Sequence, residues 1–442
     1  MKRKTLSILL SIVALVLGLA GGAFGFTYVT IPDTEVLNAS EEVYYSYNDA
    51  ALTNGQLTGA VGELSVHFLE LGNKYTGDCT YIKYKGADKD YDILIDCGSK
   101  ASSIPTVTSY LNNYVTDGVL EFVIITHAHL DHYAGFATSG KTKGIFDLYK
   151  CENIIDFGSG TNQTGNTYKN YVKKRDNEVS SDGATYYPVQ ELSTLGNNYT
   201  FEIDKGTTTG SEFKFEVLYN FYYDHKATTE NDYSVCTLFS HNNKKFLFTG
   251  DLEKDGEDKL VENNQVLKEG FDNGSLKVDL YKAGHHGSKT SSNENLLKAI
   301  QPKVVCICCC AGSSEYSPNP LNQFPTQDFI NRISKYTTNI YVTTLCVDYK
   351  NNEFTSMNGN IMVISIITKP EVSLAFSNNS TKLKDTDWFK ANRTWPENWI
   401  KKLSIIWEFF VGFMQMIYAN DNLFNFNQKV VLFAFFEKFA VF

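Results

Sequence analysis

Apolar and polar positions alternate in short runs along the body of the chain, a pattern typical of strands. The segments SVHFLELG, CTYIKYK and DILIDCG predict three successive strands, followed by a helix at SIPTVTSYLNNYV and a buried strand at VLEFVIITHAH. Further strands are predicted at ENIIDFGSG, EFKFEVLYNF, SVCTLFSH, KKFLFTGD, KVDLYKAG, KVVCICCC and NIYVTTL, and helices at GIFDLYKC, ENLLKAI and PTQDFINRI. Strands in clusters with helices between them predict an α/β sandwich, with sheet packed on sheet and helices outside.

Two stretches of the body need a separate interpretation. Residues 157–210 are rich in Gly, Asn, Thr and Ser, which predicts long surface loops. The run KVVCICCC is interpreted as a buried strand in which cysteine serves as a small apolar side chain. Its cysteines are Cys306, Cys308, Cys309 and Cys310. Because the nine cysteines of the chain are an odd number and offer no matching second pair at zinc-finger spacing, the sequence favours neither a disulfide framework nor a thiolate metal cluster.

The N-terminus has the pattern of an export signal. Lys2, Arg3 and Lys4 precede an uncharged apolar stretch of twenty-two residues. This order predicts a signal peptide or a membrane anchor over residues 1–26. Since the positive charges lie before the apolar stretch, they place the remainder outside the cytoplasm. We therefore expect an extracytoplasmic protein that is either secreted or anchored to the cell membrane.

The remaining chain divides by composition into three parts. A polar, Tyr-rich connector covers 27–62, the strand-rich domain covers 63–375, and an extension covers 376–442. All four tryptophans and eleven of the thirty phenylalanines lie within 388–442, so the extension is an aromatic tail. Its segment WIKKLSIIWEFFVGFMQMIY predicts either an interfacial amphipathic helix or a helix packed on the core.

Charge narrows the classes of function. Forty basic and fifty acidic residues give a net charge of −10, which disfavours a broad basic surface for nucleic acid but allows a local patch. Histidine is scarce, with eight residues. Three of them occur in one short motif, His127-Ala128-His129-Leu130-Asp131-His132, directly after a predicted strand. Imidazole and carboxylate groups at this density are a ligand set that zinc prefers. His127 and His129 project to the same side of an extended loop and can hold one ion, while Asp131 and His132 can hold a second.

This HxHxDH motif resembles the signature of the metallo-β-lactamase fold, and the resemblance covers about 63–370. Asp96 in DILIDCGSK and Asp251 in FLFTGDLE fall on acidic positions of that family. The segment YKAGHHGSKTS resembles the histidine loop of its extracellular branch, which includes competence-type ComEC hydrolase domains and phosphorylcholine esterases. In that loop four residues match, namely Lys282, His285, His286 and Ser288. The resemblance implies an αββα sandwich, two zinc ions and a hydrolase that uses a metal-activated hydroxide.

The resemblance also implies the roles of individual residues. The metal ligands are expected to be His127, His129, Asp131, His132, Asp251 and His286. The isolated third histidine of the family has no clean counterpart, and its place falls to His225, Asn231 or Asp232. Of the adjacent histidines, His286 is assigned to the metal and His285 to the reacting group, although the reverse order is also open.

Catalytic work is assigned to Asp131, His285, Glu253 and Lys282. Glu253 either relays a proton and holds substrate or is a surface glutamate, and Lys282 is either a phosphate contact or a strand-edge lysine. GHHGS and GDLE favour phosphodiester bonds, in nucleic acid or in a phosphorylcholine-bearing polymer, with no protein partner expected. The alternatives are hydrolysis of a lactam, lactone or thioester, and a non-catalytic membrane-tethered binding protein. The density of metal-capable residues argues against the last of these.

Overall fold

The computed structural model describes residues 59–138, 142–194, 197–206 and 212–396. Their strands form two eight-stranded sheets. The first sheet has the order β16-β15-β1-β2-β3-β4-β5-β6. Its strands are β1 (Leu64–Phe68), β2 (Thr80–Lys85), β3 (Asp90–Ile95), β4 (Val119–Ile125), β5 (Lys150–Asp156), β6 (Thr185–Pro188), β15 (Ile361–Ser365) and β16 (Ser373–Phe376). β3, β4, β5 and β6 run parallel, and the remaining neighbours pair antiparallel.

The second sheet has the order β14-β13-β12-β11-β10-β9-β8-β7. Its strands are β7 (Tyr199–Asp204), β8 (Phe213–Leu218), β9 (Cys236–His241), β10 (Lys244–Phe248), β11 (Leu280–Lys282), β12 (Val304–Ala311), β13 (Ile340–Asp348) and β14 (Glu353–Ser356). Here β10, β11, β12 and β13 run parallel. Both sheets are therefore mixed, and each has a parallel block whose carboxyl ends carry the loops discussed below.

Helices cover the outer faces. They are α1 (Ile104–Leu111), α2 (Leu130–Tyr133), α3 (Ile145–Leu148), α4 (Asn166–Ser181), α5 (Val189–Leu192), α6 (Lys254–Asn263), α7 (Gln265–Asn273), α8 (Glu294–Ile300), α9 (Gln327–Ile333) and α10 (Asp387–Asn392). The α3 and α4 helices pack against β5 of the first sheet. Leucines of α6, α7 and α8 share a hydrophobic cluster with the second sheet. The predicted α/β architecture with two packed sheets is confirmed.

The apolar core follows from the two-residue period of the strands. In β10, Phe246 and Phe248 belong to the cluster that joins the two sheets, whereas Leu247 belongs to the cluster under the helices. Phe248 meets Phe68 of the first sheet with ring centroids 6.4 Å apart. β12 is buried along its whole length; Cys306 and Cys308 belong to the cluster that joins the sheets, and Cys309 belongs to the cluster under the helices. The prediction of a buried strand with cysteine as apolar filler is thus confirmed.

The prediction of long surface loops over 157–210 is wrong for its central part, where α4 forms a sixteen-residue helix. Its buried residues are Tyr171, Arg175 and Glu178, spaced four and three apart. Because two of these three are charged, the buried face does not appear as an apolar stripe in the sequence. Arg175 is neutralised instead by Asp156 at the end of β5, at 2.9 Å.

The predicted ends of the chain fall mostly outside the described residues. This applies to the signal or anchor at 1–26, most of the connector, and residues 397–442 of the aromatic tail, which stay predictions. The predicted boundary at 375 falls inside β16, and α10 follows with Phe389 buried in the cluster of the helical layer. Within the described part of the chain, no helix combines the length and apolar character needed to span a bilayer.

Candidate metal centre and active site

The site lies where the parallel blocks of both sheets end. β3 leads into Asp96, β4 into the HxHxDH loop, β10 into Asp251 and β11 into His285 and His286. Because β2 is antiparallel to β3, with Thr80 opposite Ile95, the residues before β2 lie at the same edge. The ends of five strands therefore gather histidine and acidic side chains, and β10 and β11 lie far in sequence from β2, β3 and β4.

Backbone contacts lock these loops together. Asp78 N–H donates to the Asp131 carbonyl at 3.0 Å, and Cys97 N–H donates to the His132 carbonyl at 2.8 Å. Gly98 lies in this crossing, where a Cβ atom would come within 1.9 Å of the Asp131 oxygen. A side chain at this position would push the loops apart, so the close approach requires glycine.

The first pair of predicted ligands converges as expected from its spacing. His127 is buried and His129 is half-buried, and His127 Nε2 lies 2.9 Å from His129 Nδ1. Burial, reinforced by the neighbouring His132, lowers the pKa of His127 well below its usual value. A neutral imidazole is the form that ligates a metal.

His132 is held from both sides by carboxylates. Its Nδ1 lies 2.7 Å from Asp96 Oδ2, while its Nε2 lies 3.1 Å from Asp251 Oδ2. Asp96 is fixed in turn by the backbone N–H of Thr126 at 2.8 Å and by the Thr126 hydroxyl at 2.8 Å. Burial disfavours the imidazolium, but Asp251 and Asp96 outweigh it and raise the pKa of His132 well above its usual value. Asp96 thus orients the ring that presents Nε2 to the centre.

The adjacent histidines have different environments. His286 is fully buried, and its Nδ1 lies 2.9 Å from the Cys308 carbonyl, which can accept only from an N–H. Its Nε2 lies 3.4 Å from both Asp131 Oδ2 and Asp251 Oδ2 and is the ring atom left to face the centre. Burial opposes the imidazolium, but Asp251 and Asp78 outweigh it and raise the pKa of His286 well above its usual value. Both His285 and His286 have positive φ, at 46° and 55°, a conformation that non-glycine residues rarely adopt. This geometry favours His286 as the ligand and leaves His285 at the rim.

The rim contains a hydrogen-bonded group around His285. The His285 Nδ1 atom lies 3.2 Å from the Thr290 hydroxyl and 3.5 Å from Glu253 Oε1, and Thr290 donates to Glu253 at 3.0 Å. Asn231 also donates its amide to Glu253 Oε1 at 3.1 Å. The contact with His285, against the opposing effect of burial, lowers the pKa of Glu253. An ionised Glu253 therefore orients His285, whose Nε2 lies 3.9 Å from Asp251 Oδ2.

Lys282 lies in the interior of the site, beneath the rim that His285 and Glu253 share. Its ammonium pairs with Asp78 Oδ2 and lies 3.7 Å from Asp251 Oδ1. The residue is 3% exposed. Burial opposes the charge, but Asp78 and Asp251 outweigh it and raise the pKa of Lys282. In this position it stabilises the acidic ligands, and no path for direct contact with substrate is evident from the described residues.

The three alternatives for the third-histidine position lie in different places. His225 is exposed and stacks on Phe221, with ring centroids 3.7 Å apart. Asp232 is buried and accepts from the Glu253 N–H at 3.2 Å. Asn231 is buried, bonds Glu253 and keeps an Oδ1 atom without a hydrogen-bond partner among the described residues. Of the three, Asn231 alone combines burial with a side-chain oxygen that has no hydrogen-bond partner among the described residues.

The donor set fits divalent metal ions. Four groups of three side chains have ligand atoms within 4.8 Å of one another: His127, His132 and Asp251; Asp131, His132 and His286; Asp78, Asp251 and His286; Asp78, Asp96 and His132. In the described part of the chain, Asp78 Oδ1, Asp251 Oδ1 and His286 Nε2 are buried without a hydrogen-bond partner. Buried polar atoms are rarely left in this state, which points to a ligand that satisfies them.

Two residues of the site were missed by the sequence interpretation. Asp78 is 2% exposed and contacts Lys282 and His286. Its signal was weak, a lone aspartate between Gly77 and an apolar strand. Tyr316 lies in the loop after β12 and donates its hydroxyl to Asp131 Oδ2 at 2.5 Å. It had no sequence signal, because only the fold brings this loop to the HxHxDH loop.

Residues 72–145 match the family model described as Metallo-beta-lactamase superfamily. Among curated proteins, the chain is 27% identical over 186 residues to Recombination protein 2 of Haemophilus influenzae, covering 40% of this chain and 21% of that protein. It is 32% identical over 91 residues to ComE operon protein 3 of Bacillus subtilis, covering 21% of this chain and 11% of that protein. The chain therefore spans about a fifth or less of each curated relative.

A solved structure similar to this chain is the metallo-beta-lactamase fold protein YhfI from Bacillus subtilis. The sequence identity is 14%, the TM-score is 0.32, and the match covers 63% of this chain and 95% of that chain.

Proposed function

Because the chain contains a metallo-β-lactamase superfamily domain, we propose that it is a dinuclear zinc hydrolase that cleaves phosphodiester bonds outside the cytoplasm. The observation that carries the proposal is the charge of the buried centre. Asp78, Asp96, Asp131 and Asp251 face one fixed cation, the Lys282 ammonium. Once the imidazoles take the neutral form that binds a metal, three negative charges therefore have no fixed partner. Two divalent ions and one further anion, such as the phosphate of a diester, would bring the sum to zero, and burying such charge uncompensated is costly.

The ions would be shared among the residues that converge. His127 and His129 would hold the first, and Asp131, His132 and His286 would hold the second. Asp251 lies near both histidine groups and would contribute a carboxylate oxygen there. When bound, such ions act as Lewis acids toward a phosphoryl oxygen and lower the pKa of water to near neutrality.

The chain's own residues then have distinct tasks in the displacement. A water oxygen forms a new bond to phosphorus as the bond to the leaving alkoxide breaks, so one proton leaves the water and another reaches the alkoxide. Asp131, whose side chain is 16% exposed, is placed to accept a hydrogen bond from the attacking water and to orient it, and the first proton passes to solvent. His285, at 22% exposure, is placed to deliver the second through Nε2, while Glu253 and Thr290 hold its Nδ1.

One feature favours a phosphodiester over a lactam, lactone or thioester. The name Recombination protein 2 indicates a relative that acts in recombination, which supports nucleic acid as a substrate. The oriented His285 at the rim can protonate an alkoxide leaving group, which a phosphodiester shares with a lactone but not with a thioester. The phosphorylcholine-bearing polymer stays an alternative of the same bond type.

The N-terminal Lys2, Arg3 and Lys4 with the apolar run behind them support a location outside the cytoplasm.

A panel of substrates tests the proposal. Full-length protein reconstituted with zinc is offered bis-nitrophenyl phosphate, nitrophenyl phosphorylcholine, single-stranded DNA, a lactone and nitrocefin. We expect the highest kcat/KM on phosphodiesters, and loss of that activity on chelation. Faster hydrolysis of nitrocefin or the lactone than of any phosphodiester would overturn the choice of bond, and inactivity on every substrate would support a non-catalytic role.

A further inference from the structure

A cluster of lysine and tyrosine side chains lies at the mouth of the site. It consists of Lys74, Tyr75, Lys100 and Tyr349, and we call it the mouth cluster. The Lys100 ammonium lies 3.4 Å from the centroid of the Tyr75 ring, and the Lys74 ammonium lies 4.2 Å from that of Tyr349. The two rings meet edge to face at 6.2 Å. These contacts hold both ammonium groups in defined positions on the surface.

Short connections join the mouth cluster to the metal centre. Thr76 follows Tyr75 and donates its N–H to Glu315 Oε2 at 2.8 Å, and Asp78 of the centre lies two residues further along. Glu315 precedes Tyr316, whose hydroxyl bonds Asp131. The mouth cluster and Tyr316 therefore flank the same entrance, next to the ligands that would hold the scissile phosphate.

The charge of the mouth cluster differs from that of the protein as a whole. The chain has a net charge of −10, yet Lys74 forms no ion pair with any residue that the structure describes. Lys100 is 3.7 Å from Glu315, but its side chain is 49% exposed while that of Glu315 is 14% exposed. The Lys100 ammonium thus faces solvent beside an acidic centre. Lys74 is half-buried and donates one of its three N–H groups to the Tyr349 carbonyl at 2.6 Å, which leaves two donors without an ion pair among the described residues. Both ammonium groups can bind phosphates of the substrate.

An aromatic wall completes the entrance. Tyr316 is 55% exposed, and its ring lies 5.7 Å from that of Phe324, which in turn lies 5.6 Å from the His285 ring. An exposed aromatic face beside the rim can stack on a planar group of the substrate. Such stacking platforms next to lysines are typical of proteins that bind single-stranded nucleic acid without sequence preference.

Building on the proposed function, we propose that the mouth cluster and Tyr316 form a binding site for single-stranded nucleic acid that extends from the cleaved bond. Lys74 and Lys100 bind phosphates adjacent to the scissile one, and Tyr316 stacks on a neighbouring base. A cage for the trimethylammonium group of choline would instead combine aromatic rings with acidic groups, and two lysines on the rings oppose that ligand. The substrate is therefore a polymer of nucleotides.

Salt dependence of binding tests the phosphate contacts. The probe is a fluorescent dT octamer with phosphorothioate linkages, which keeps its charges and resists hydrolysis, and the protein is the zinc-loaded full chain. For Lys74→Gln/Lys100→Gln we expect the slope of log affinity against log salt to fall by about 1.4, because each single-strand phosphate contact contributes about 0.7. The exposed lysines Lys173 and Lys277 lie elsewhere on the described surface, so Lys173→Gln/Lys277→Gln is the matched control for lost charge.

Two further variants separate stacking from the hydroxyl contact. Tyr316→Ala should weaken octamer binding about 5- to 150-fold, whereas Tyr316→Phe should bind like the wild type, because the ring supplies the contact. Lys100→Gln alone, at an exposed position, keeps the test valid if the double variant does not fold. A salt slope for the double variant equal to that of its control would overturn the proposal. Tighter binding of a phosphorylcholine-bearing polymer than of the octamer would also overturn it.

The outcome can be separated from that of the proposed function. Bis-nitrophenyl phosphate has no flanking nucleotides, so its hydrolysis reports the reaction alone. If the wild type hydrolyses this diester but the variants bind the octamer like the control, the binding site is wrong and the proposed function stands. If the diester is not hydrolysed, the proposed function fails, whatever the octamer binding shows.

Discussion

Asp96 offers a direct way to perturb the metal centre without touching a predicted ligand. Its carboxylate accepts from the Thr126 N–H and hydroxyl and lies 2.7 Å from His132 Nδ1. Asp96 has a φ of 56°, and asparagine adopts this left-handed conformation about as readily as aspartate. Asp96→Asn therefore changes the charge and one hydrogen-bonding atom while the backbone keeps its shape.

The size of the effect follows from the tautomer of His132. The asparagine Oδ1 can still accept from the Thr126 N–H, which leaves its Nδ2 donor toward His132 Nδ1. That ring nitrogen must then accept, so the proton moves to Nε2, the atom that faces Asp251 and the centre. Loss of such an outer contact typically reduces metal affinity 10- to 100-fold. We therefore expect zinc to bind more weakly by about 1.4–2.8 kcal/mol at the affected site.

Competition with a chromogenic zinc chelator measures this change, and thermal unfolding confirms that the variant folds. Asp92→Asn is the matched control, because Asp92 is also a buried aspartate but lies within β3 and contacts Tyr81 and Lys83, away from the centre. It should bind zinc like the wild type. A folded Asp96→Asn protein with zinc affinity within threefold of that of Asp92→Asn would refute the assigned role of Asp96.

Three other predictions concern single residues. His286→Ala should lose one zinc equivalent, whereas His285→Ala and Glu253→Gln should keep both and lose about 10²–10⁴-fold in kcat. Zinc content and kcat are measured for each variant. Loss of zinc from His285→Ala but not from His286→Ala would reverse the assignment of the two histidines. Lys282→Met should destabilise the zinc-free protein by about 3–5 kcal/mol, since buried carboxylates lose their partner. Urea unfolding should show a smaller loss of stability when zinc is bound. Equal losses with and without zinc would contradict the role of Lys282 in stabilising the acidic side chains. Burial, with help from Lys83, lowers the pKa of His67 to about 3. The unfolded chain, with a pKa near 6.5, binds more protons below that pH, so acidification from pH 7 to 5 should cost about 2 kcal/mol through this residue. His67→Gln should flatten this part of the pH dependence of stability. If the urea midpoint of the variant changes between pH 7 and pH 5 as much as that of the wild type, the contribution assigned to His67 is excluded.

Individual strands could be predicted where the spacing of apolar residues in the sequence matches the side chains that the fold buries. β12 is a continuous apolar run, β4 is interrupted only by Glu121, and β10 alternates between the two core clusters, so each strand was visible in the sequence. The HxHxDH motif contains its candidate ligands within six residues. They could be predicted to lie together because the single loop after β4 holds all of them. The α4 helix was not predicted, because its buried face includes the charged residues Arg175 and Glu178. Asp156, which neutralises Arg175, is brought to it only by the fold.

Long-range pairings in the site could not be predicted. Lys282 follows an apolar strand, and nothing near it in sequence shows that Asp78, some two hundred residues earlier, will neutralise it inside the protein. The choice between His285 and His286 depends on the Cys308 carbonyl, which β12 brings against one ring. Tyr316 reaches Asp131 only because the loop after β12 folds over the end of β4. Such contacts follow from topology, which a residue pattern does not encode.

Zinc titration with hydrolysis as the readout tests the central claim most directly. Metal-free full-length protein receives zinc in steps, and bis-nitrophenyl phosphate hydrolysis is followed at each step. Two ions at a shared carboxylate predict that activity rises to a plateau at two zinc equivalents, and that Asp251→Asn stays inactive throughout. Activity without any metal, or none at any zinc ratio while nitrocefin or a lactone is cleaved, would contradict a dinuclear phosphodiesterase.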